Sequence, residues 1–254
     1  MKKIFLILVI LIFGGCQTTT SVSLIPQLNQ KTSYNDGQEA IKSILPNSVV
    51  ILSSAFTEVE NGNRIDVIVN VNNTSNSTFL LDTSSIEIST PSLGKLKVFS
   101  YDELVAEQKQ KAKTAAILTA FAGAMDTMAA SYSGYQTTTG TFSANTYGAY
   151  NTNTYGNYTS TTYNSAAAQN AINEASNRTT ANLQNIQRTS SASLKNLKNS
   201  ILKKTTMEPG MWYGGVARFN APKLKKDEHR FYTLNLKLGE DVHKFELAQQ
   251  IIKK

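Results

Sequence analysis

Arg64-Ile65-Asp66-Val67-Ile68-Val69-Asn70-Val71-Asn72 alternates almost without interruption. Ile65, Val67, Val69 and Val71 fall on one side of an extended chain. Arg64, Asp66, Asn70 and Asn72 fall on the other, with Ile68 the one apolar residue out of place. A period of two with a single apolar face predicts a strand buried on one side and wet on the other.

Working outward, Val49 to Val59 reads as a second strand, and Asn61-Gly62 between the two supplies the positive φ angles of a tight hairpin turn. Thr78 to Leu81, Ser85 to Ser89 and Lys95 to Phe99 predict further short strands. Upstream, Asp36, Ala40, Ile41 and Ile44, followed by Pro46, predict a short helix. The two-residue period returns only near the C-terminus. Met211 to Phe219 is aromatic and glycine rich. Tyr232 to Leu238 alternates cleanly, Gly239-Glu240 can turn the chain, and Val242 to Leu247 returns with His243, Phe245 and Leu247 on one face.

Together these make about eight strands with turn signals at the spacing of a β-sandwich. Neither half alone buries enough apolar area to fold well. The expectation is therefore an α+β chain with one discontinuous antiparallel β-sandwich, formed by residues 33–101 and 207–254. Its strand pattern resembles immunoglobulin-like modules of exported bacterial proteins, although the disulfide of such domains and its packing tryptophan are absent.

The insertion, residues 102–206, predicts a long helical hairpin. Asp102-Glu103-Leu104 is an acidic helix start. Ala112, Ala116, Ala120 and Ala124 recur every fourth residue, beside a second small stripe of Ala115, Thr119, Gly123 and Thr127. Such stripes let helix backbones approach closely, within one chain or between copies. Ile172, Leu183, Ile186, Leu194, Leu197 and Ile201 form the apolar stripe of the second helix, with Ala175, Thr179 and Ser190 completing it. Between the helices no charge occurs from Asp126 to Glu174, and Tyr147-Gly148 and Tyr155-Gly156 lie in an imperfect eight-residue repeat. This Tyr/Thr/Asn/Gly-rich tip, near 132–164, lacks the aliphatic residues of a core and is expected to be disordered.

At the other end, Lys2 and Lys3 precede an apolar run from Ile4 to Phe13, and Gly14-Gly15-Cys16 closes it. That run is too short to cross a bilayer as a helix, which takes about 20 residues. Cys16 is the only cysteine in the chain. The arrangement resembles the signal peptide of bacterial lipoproteins, with Phe13 where that family prefers leucine. The resemblance implies a signal peptide over 1–15, lipidation of Cys16 by three acyl chains, a flexible lipidated tether over 16–32, and a cell-envelope address. More than one acyl chain is what stable anchoring requires. Gln17 rather than Asp after the cysteine favours the outer membrane where the source has two. An ordinary signal peptide with an incidental cysteine is the other reading.

Loss of Lys2 and Lys3 with residues 1–15 takes the formal charge from +7 to +5. That is short of the dense positive field of a nucleic-acid binder, and no nucleic-acid partner is expected. His229 and His243, the only histidines, have Asp227, Glu228, Glu240 and Asp241 nearby in sequence, but a metal site needs three or four converging ligands. Surface positions on a hairpin are the expectation for both. Trp212-Tyr213-Gly214-Gly215 either lines a ligand groove or packs a sheet edge. No nucleophile motif stands in a strand-turn-helix context, and no catalytic, cofactor or metal residue is assigned. The expected function is a membrane-anchored, non-enzymatic interaction or structural module with an envelope protein partner. The alternative is a subunit that self-associates through its hairpin.

Overall fold

The computed structural model describes residues 18–35, 38–146 and 152–252. In chain order it contains β1 (Thr19–Ile25), β2 (Gln30–Asn35), β3 (Gln38–Ile44), β4 (Ser48–Ser54), β5 (Glu58–Glu60), β6 (Ile65–Asn73), β7 (Phe79–Leu81), β8 (Ile86–Thr90), β9 (Gly94–Leu96) and β10 (Val98–Phe99). Helix α1 (Tyr101–Tyr132), β11 (Tyr135–Thr146), β12 (Thr152–Tyr163) and α2 (Ser165–Ser200) follow. The chain ends with β13 (Thr205–Met207), β14 (Trp212–Phe219), β15 (His229–Leu238) and β16 (Asp241–Ile251). Mixed α+β architecture with mainly antiparallel sheets is the result. Two compact units divide it, one up to Leu104 and from Lys198 on, the other Val105–Leu197.

The first unit carries two six-stranded sheets, ordered β5-β1-β16-β15-β8-β9 and β10-β14-β6-β4-β3-β2. Their apolar faces share one buried cluster. Val22, Ile88, Leu234, Phe245 and Leu247 come from the first sheet, and Ile41, Leu52, Val67, Val69 and Phe219 from the second. Phe219 and Tyr232 meet edge to face at 5.4 Å across it. Each fully buried Leu, Val or Phe contributes about 1.5–3 kcal/mol. The strand read first, β6, is central to the second sheet, paired with β14 on one side and β4 on the other. The paired residues of the C-terminal segment lie 140 to 154 positions away in sequence. Gly239 (φ +59°) and Glu240 form the two-residue turn between β15 and β16, with Leu238 opposite Asp241.

Several sequence expectations are overturned. The tether begins to fold at Thr19. β1 pairs with β16 from Thr20↔Ile251 to Ile25↔Glu246, and with β5. Its polar composition conceals a period of two, in which Thr20, Val22 and Leu24 are buried. The short helix after Asp36 is instead the strand β3, hydrogen-bonded on both sides by β2 and β4. Its apolar spacing suits a helix, but Ile41 faces the core while Ile44 is exposed. The Tyr-rich segment, apart from 147–151 with Tyr147-Gly148, which lie outside the described residues, forms a ribbon, with β11 and β12 in register from Tyr135↔Tyr163 to Thr146↔Thr152. A two-stranded ribbon pairs the facing backbone groups and leaves the outward ones to water, so it needs no core, and Thr and Tyr favour extended chain. Gly140 lies opposite Tyr158 and Gly156 opposite Phe142. A Cβ on either glycine would fall 2.5 Å from the facing ring, so each ring lies over the glycine across from it.

Asn61-Gly62 also behaves differently from the hairpin expected. Gly62 does adopt φ +93°. Yet β5, just before it, belongs to the first sheet and β6, just after it, to the second. The turn moves the chain between sheets, while β4 and β6 pair directly over Ser48↔Asn73 to Ser54↔Val67.

Helix α1 starts at a capping box. The Glu103 amide donates to Ser100 Oγ at 3.2 Å, and Glu103 Oε2 accepts from the Ser100 amide at 2.9 Å. In the second unit the two helices meet through small residues. A Cβ on Gly123 would fall 2.2 Å from Thr179 Oγ1. Ala115, Thr119, Gly123 and Thr127 form the covered side of α1, whereas Ala120 and Ala124 are exposed. On α2, Ala168 and Ala175 are buried, and Ile172, Thr179, Leu183, Ile186, Ser190, Leu194 and Leu197 are half-buried on the same stripe.

Candidate functional site

Strand β16 turns every second residue inward, so Asp241, His243, Phe245, Leu247 and Gln249 are all buried. His243 is therefore a core residue, contrary to the surface position expected of it, while His229 is exposed near the start of β15. The structure does not bring the two histidines together. His229 pairs with Gln250 and His243 with Leu236. Among the described residues no three His, Cys, Asp or Glu side chains gather as a metal-holding group. Cys16 lies outside the described residues.

His243 belongs to a buried chain of hydrogen bonds joining the two sheets. Ser48 Oγ donates to Asp241 Oδ2 at 2.6 Å, and the Asn47 amide donates to the same oxygen at 3.0 Å. With its proton turned to the carboxylate, Ser48 Oγ accepts from His243 Nε2 at 2.8 Å. Nδ1 then accepts from Ser43 Oγ, also at 2.8 Å. Burial pushes the imidazole down from 6.5 to about 4, against the opposing pull of the Asp241 charge. This order differs from that of a hydrolytic triad, where the imidazole stands between hydroxyl and carboxylate and takes the hydroxyl proton. Here the hydroxyl stands in the middle and is sealed from solvent. The arrangement ties β3 and β4 to β16. A second chain does the same within the first sheet, from Tyr232 Oη to Gln249 Oε1 at 2.6 Å and from Gln249 Nε2 to Thr20 Oγ1 at 2.9 Å.

The accessible candidate is on the outer face of the second sheet. A groove of about 480 Å³ crosses it from Ser33 on β2 to Trp212 on β14. Ile51 and Ile68 lie on its floor, with Gln38, Ser53 and Asn70 supplying amides and a hydroxyl. No charged side chain lines it. Trp212, the only tryptophan in the chain, is half exposed there.

The Gly214-Gly215 pair serves both faces of β14. A Cβ on Gly214 would come within 2.1 Å of Asn70 Oδ1, so its absence keeps the groove open beside Asn70. A Cβ on Gly215 would come within 2.7 Å of the Leu202 backbone. That space admits the segment following α2, which bonds to β14 through the Leu202 amide and the Val216 carbonyl at 2.9 Å. Trp212, Tyr213 and Gly214 line the groove, while Tyr213 also packs against the core cluster and Gly215 against the Leu202 backbone. Ile68 is the residue that sequence reasoning left unused. An apolar side chain on the otherwise polar face of β6 was the available signal of a surface that does more than meet water.

Comparison with known proteins finds no matching family model, no matching curated protein and no matching solved structure.

Proposed function

We propose that this protein is a lipid-anchored envelope lipoprotein, held in the membrane through Cys16, that acts as a non-enzymatic interaction module. Its two sheets, which share one buried cluster, are on this view an immunoglobulin-like β-sandwich. The observation that carries it is the groove of Trp212, Ile51 and Ile68, concave, aromatic at one end and free of charged side chains. Such a lining suits an uncharged segment of an envelope partner that offers an apolar face with hydroxyls or amides at its edges.

A photo-crosslinking side chain at Ser53 tests the groove in cells. An adduct with one envelope component is expected, lost when Trp212→Ala is added. Adducts unchanged by Trp212→Ala would overturn the groove as the docking surface. The anchor is tested separately: native protein carrying an unmodified Cys16 by mass spectrometry would end that part of the reading.

A second reading, a subunit that assembles through its helical hairpin, is favoured by the outward face of α1.

A further inference from the structure

Helix α1 turns its small residues toward α2 and its large apolar residues away from it. Leu118, Phe121, Met125, Met128 and Tyr132 are spaced three, four, three and four residues apart. They are 53–68% exposed. At about 100° per residue this stripe lies on the opposite side of the helix from Thr119, Gly123 and Thr127. Ile117, Ala122, Ala124, Ala129 and Ser131 flank it, and none is charged. Tyr135 extends the stripe, its ring 6.4 Å from that of Tyr132 and 4.9 Å from that of Tyr163. A helix with only α2 as neighbour would be expected to bury its largest side chains there, and α1 does the reverse.

We propose that this stripe is the contact surface between two copies of the chain. The inference rests on the assembly reading above and gives it a place. Three features favour a second copy as the occupant. The alternating three and four spacing over two heptads is the pattern of a seam between helices. The seven side chains from Ile117 to Tyr135 offer on the order of 900 Å², close to the ~800 Å² each partner gives to a standard interface. A surface that covers itself by a two-fold axis needs no charge complementarity, and the stripe has none to offer. Lipid is the competing occupant. Among the described residues no helix is long and apolar enough to cross a membrane, and Asp126, on the same helix, is costly in hydrocarbon.

The test uses the full mature chain with Cys16→Ser, which removes both the anchor and the only thiol. Sedimentation at micromolar concentration is expected to show a dimer. Met125→Cys, at the centre of the stripe, should then form a disulfide-linked dimer under mild oxidation whichever way the helices run. Gln184→Cys, exposed on α2, should not. Phe121→Glu with Met125→Glu should weaken association at least 100-fold while leaving the thermal midpoint of the monomer unchanged. The cysteine experiment retains its force if the double glutamate variant fails to fold. A monomer at every concentration, including one that binds phospholipid vesicles through the stripe, overturns both this inference and the assembly reading. A dimer that resists both the Met125 crosslink and the glutamates overturns only the stripe, because the copies then meet elsewhere.

Discussion

Ser48, His243 and Asp241 are small in number but sit where two sheets join, and protonation of His243 should be visible in stability. The ordinary imidazole value is 6.5 and the folded value about 4. The unfolded chain therefore binds the proton first as pH falls. Stability from this group is complete above about pH 6.5, declines between 6.5 and 4, and is lost below, by roughly 3 kcal/mol at most. Urea midpoints measured from pH 7.5 to 4 should show this decline, and His243→Leu should flatten it. Ser48→Ala leaves Asp241 and Nε2 each short of a partner, at about 1–3 kcal/mol. On the outer face, Gly214→Ala should crowd Asn70 and narrow the groove. Trp212 is the only indole, so its emission maximum is expected to shift in Gly214→Ala with little change in far-ultraviolet dichroism.

At the scale of elements, the small stripe of α1 has one sensitive position and one tolerant position. Gly123→Leu drives a side chain into Thr179 and should cost about 1–3 kcal/mol by overpacking. Ala120→Leu, one turn away but exposed, should leave the thermal midpoint within a degree or two. Equal effects of the two variants would show that α1 and α2 do not meet along this side. The ribbon of β11 and β12 contributes cross-strand pairs but no aliphatic core. Joining Ala130 to Ser165 by a short flexible linker is expected to change the melting temperature of the whole chain only slightly. Loop closure changes by only about 0.6 kcal/mol per doubling of length.

For the whole molecule, the core depends on strands from both ends of the chain. β14 to β16 supply Phe219, Leu234, Phe245 and Leu247, so a chain stopped after Leu202 should show no cooperative transition. Leu234→Ala should cost about 2–5 kcal/mol. The role of β1 separates a tether from a strand. Starting the chain at Pro26 removes buried Val22 and Leu24 and uncovers β16. It should therefore lower the urea midpoint markedly, where loss of a tether would leave it unchanged.

Segment by segment, much of this architecture was legible in the residues. Ile65 to Val71 and Tyr232 to Leu238 are strands because alternation records which side of a chain is apolar. The spacing of Ile172, Leu183, Ile186 and Leu197 marks a helix for the same reason, and Gly239 marks its turn because little else tolerates its φ. Which strands pair is a property of the folded chain. Thr19 to Ile25 reads as polar linker until β16 offers its edge. Glu58 to Glu60 reads as the end of one strand until Val59 is seen paired with Thr20 in the other sheet. Ile68 reads as a flaw in the pattern until β14 completes the groove that Ile68 and Trp212 both line. Periodicity is a property of one segment, whereas a backbone hydrogen bond and a shared apolar surface belong to two. The second partner of β6 arrives 140 or more residues later, and no local signal states where it will bind.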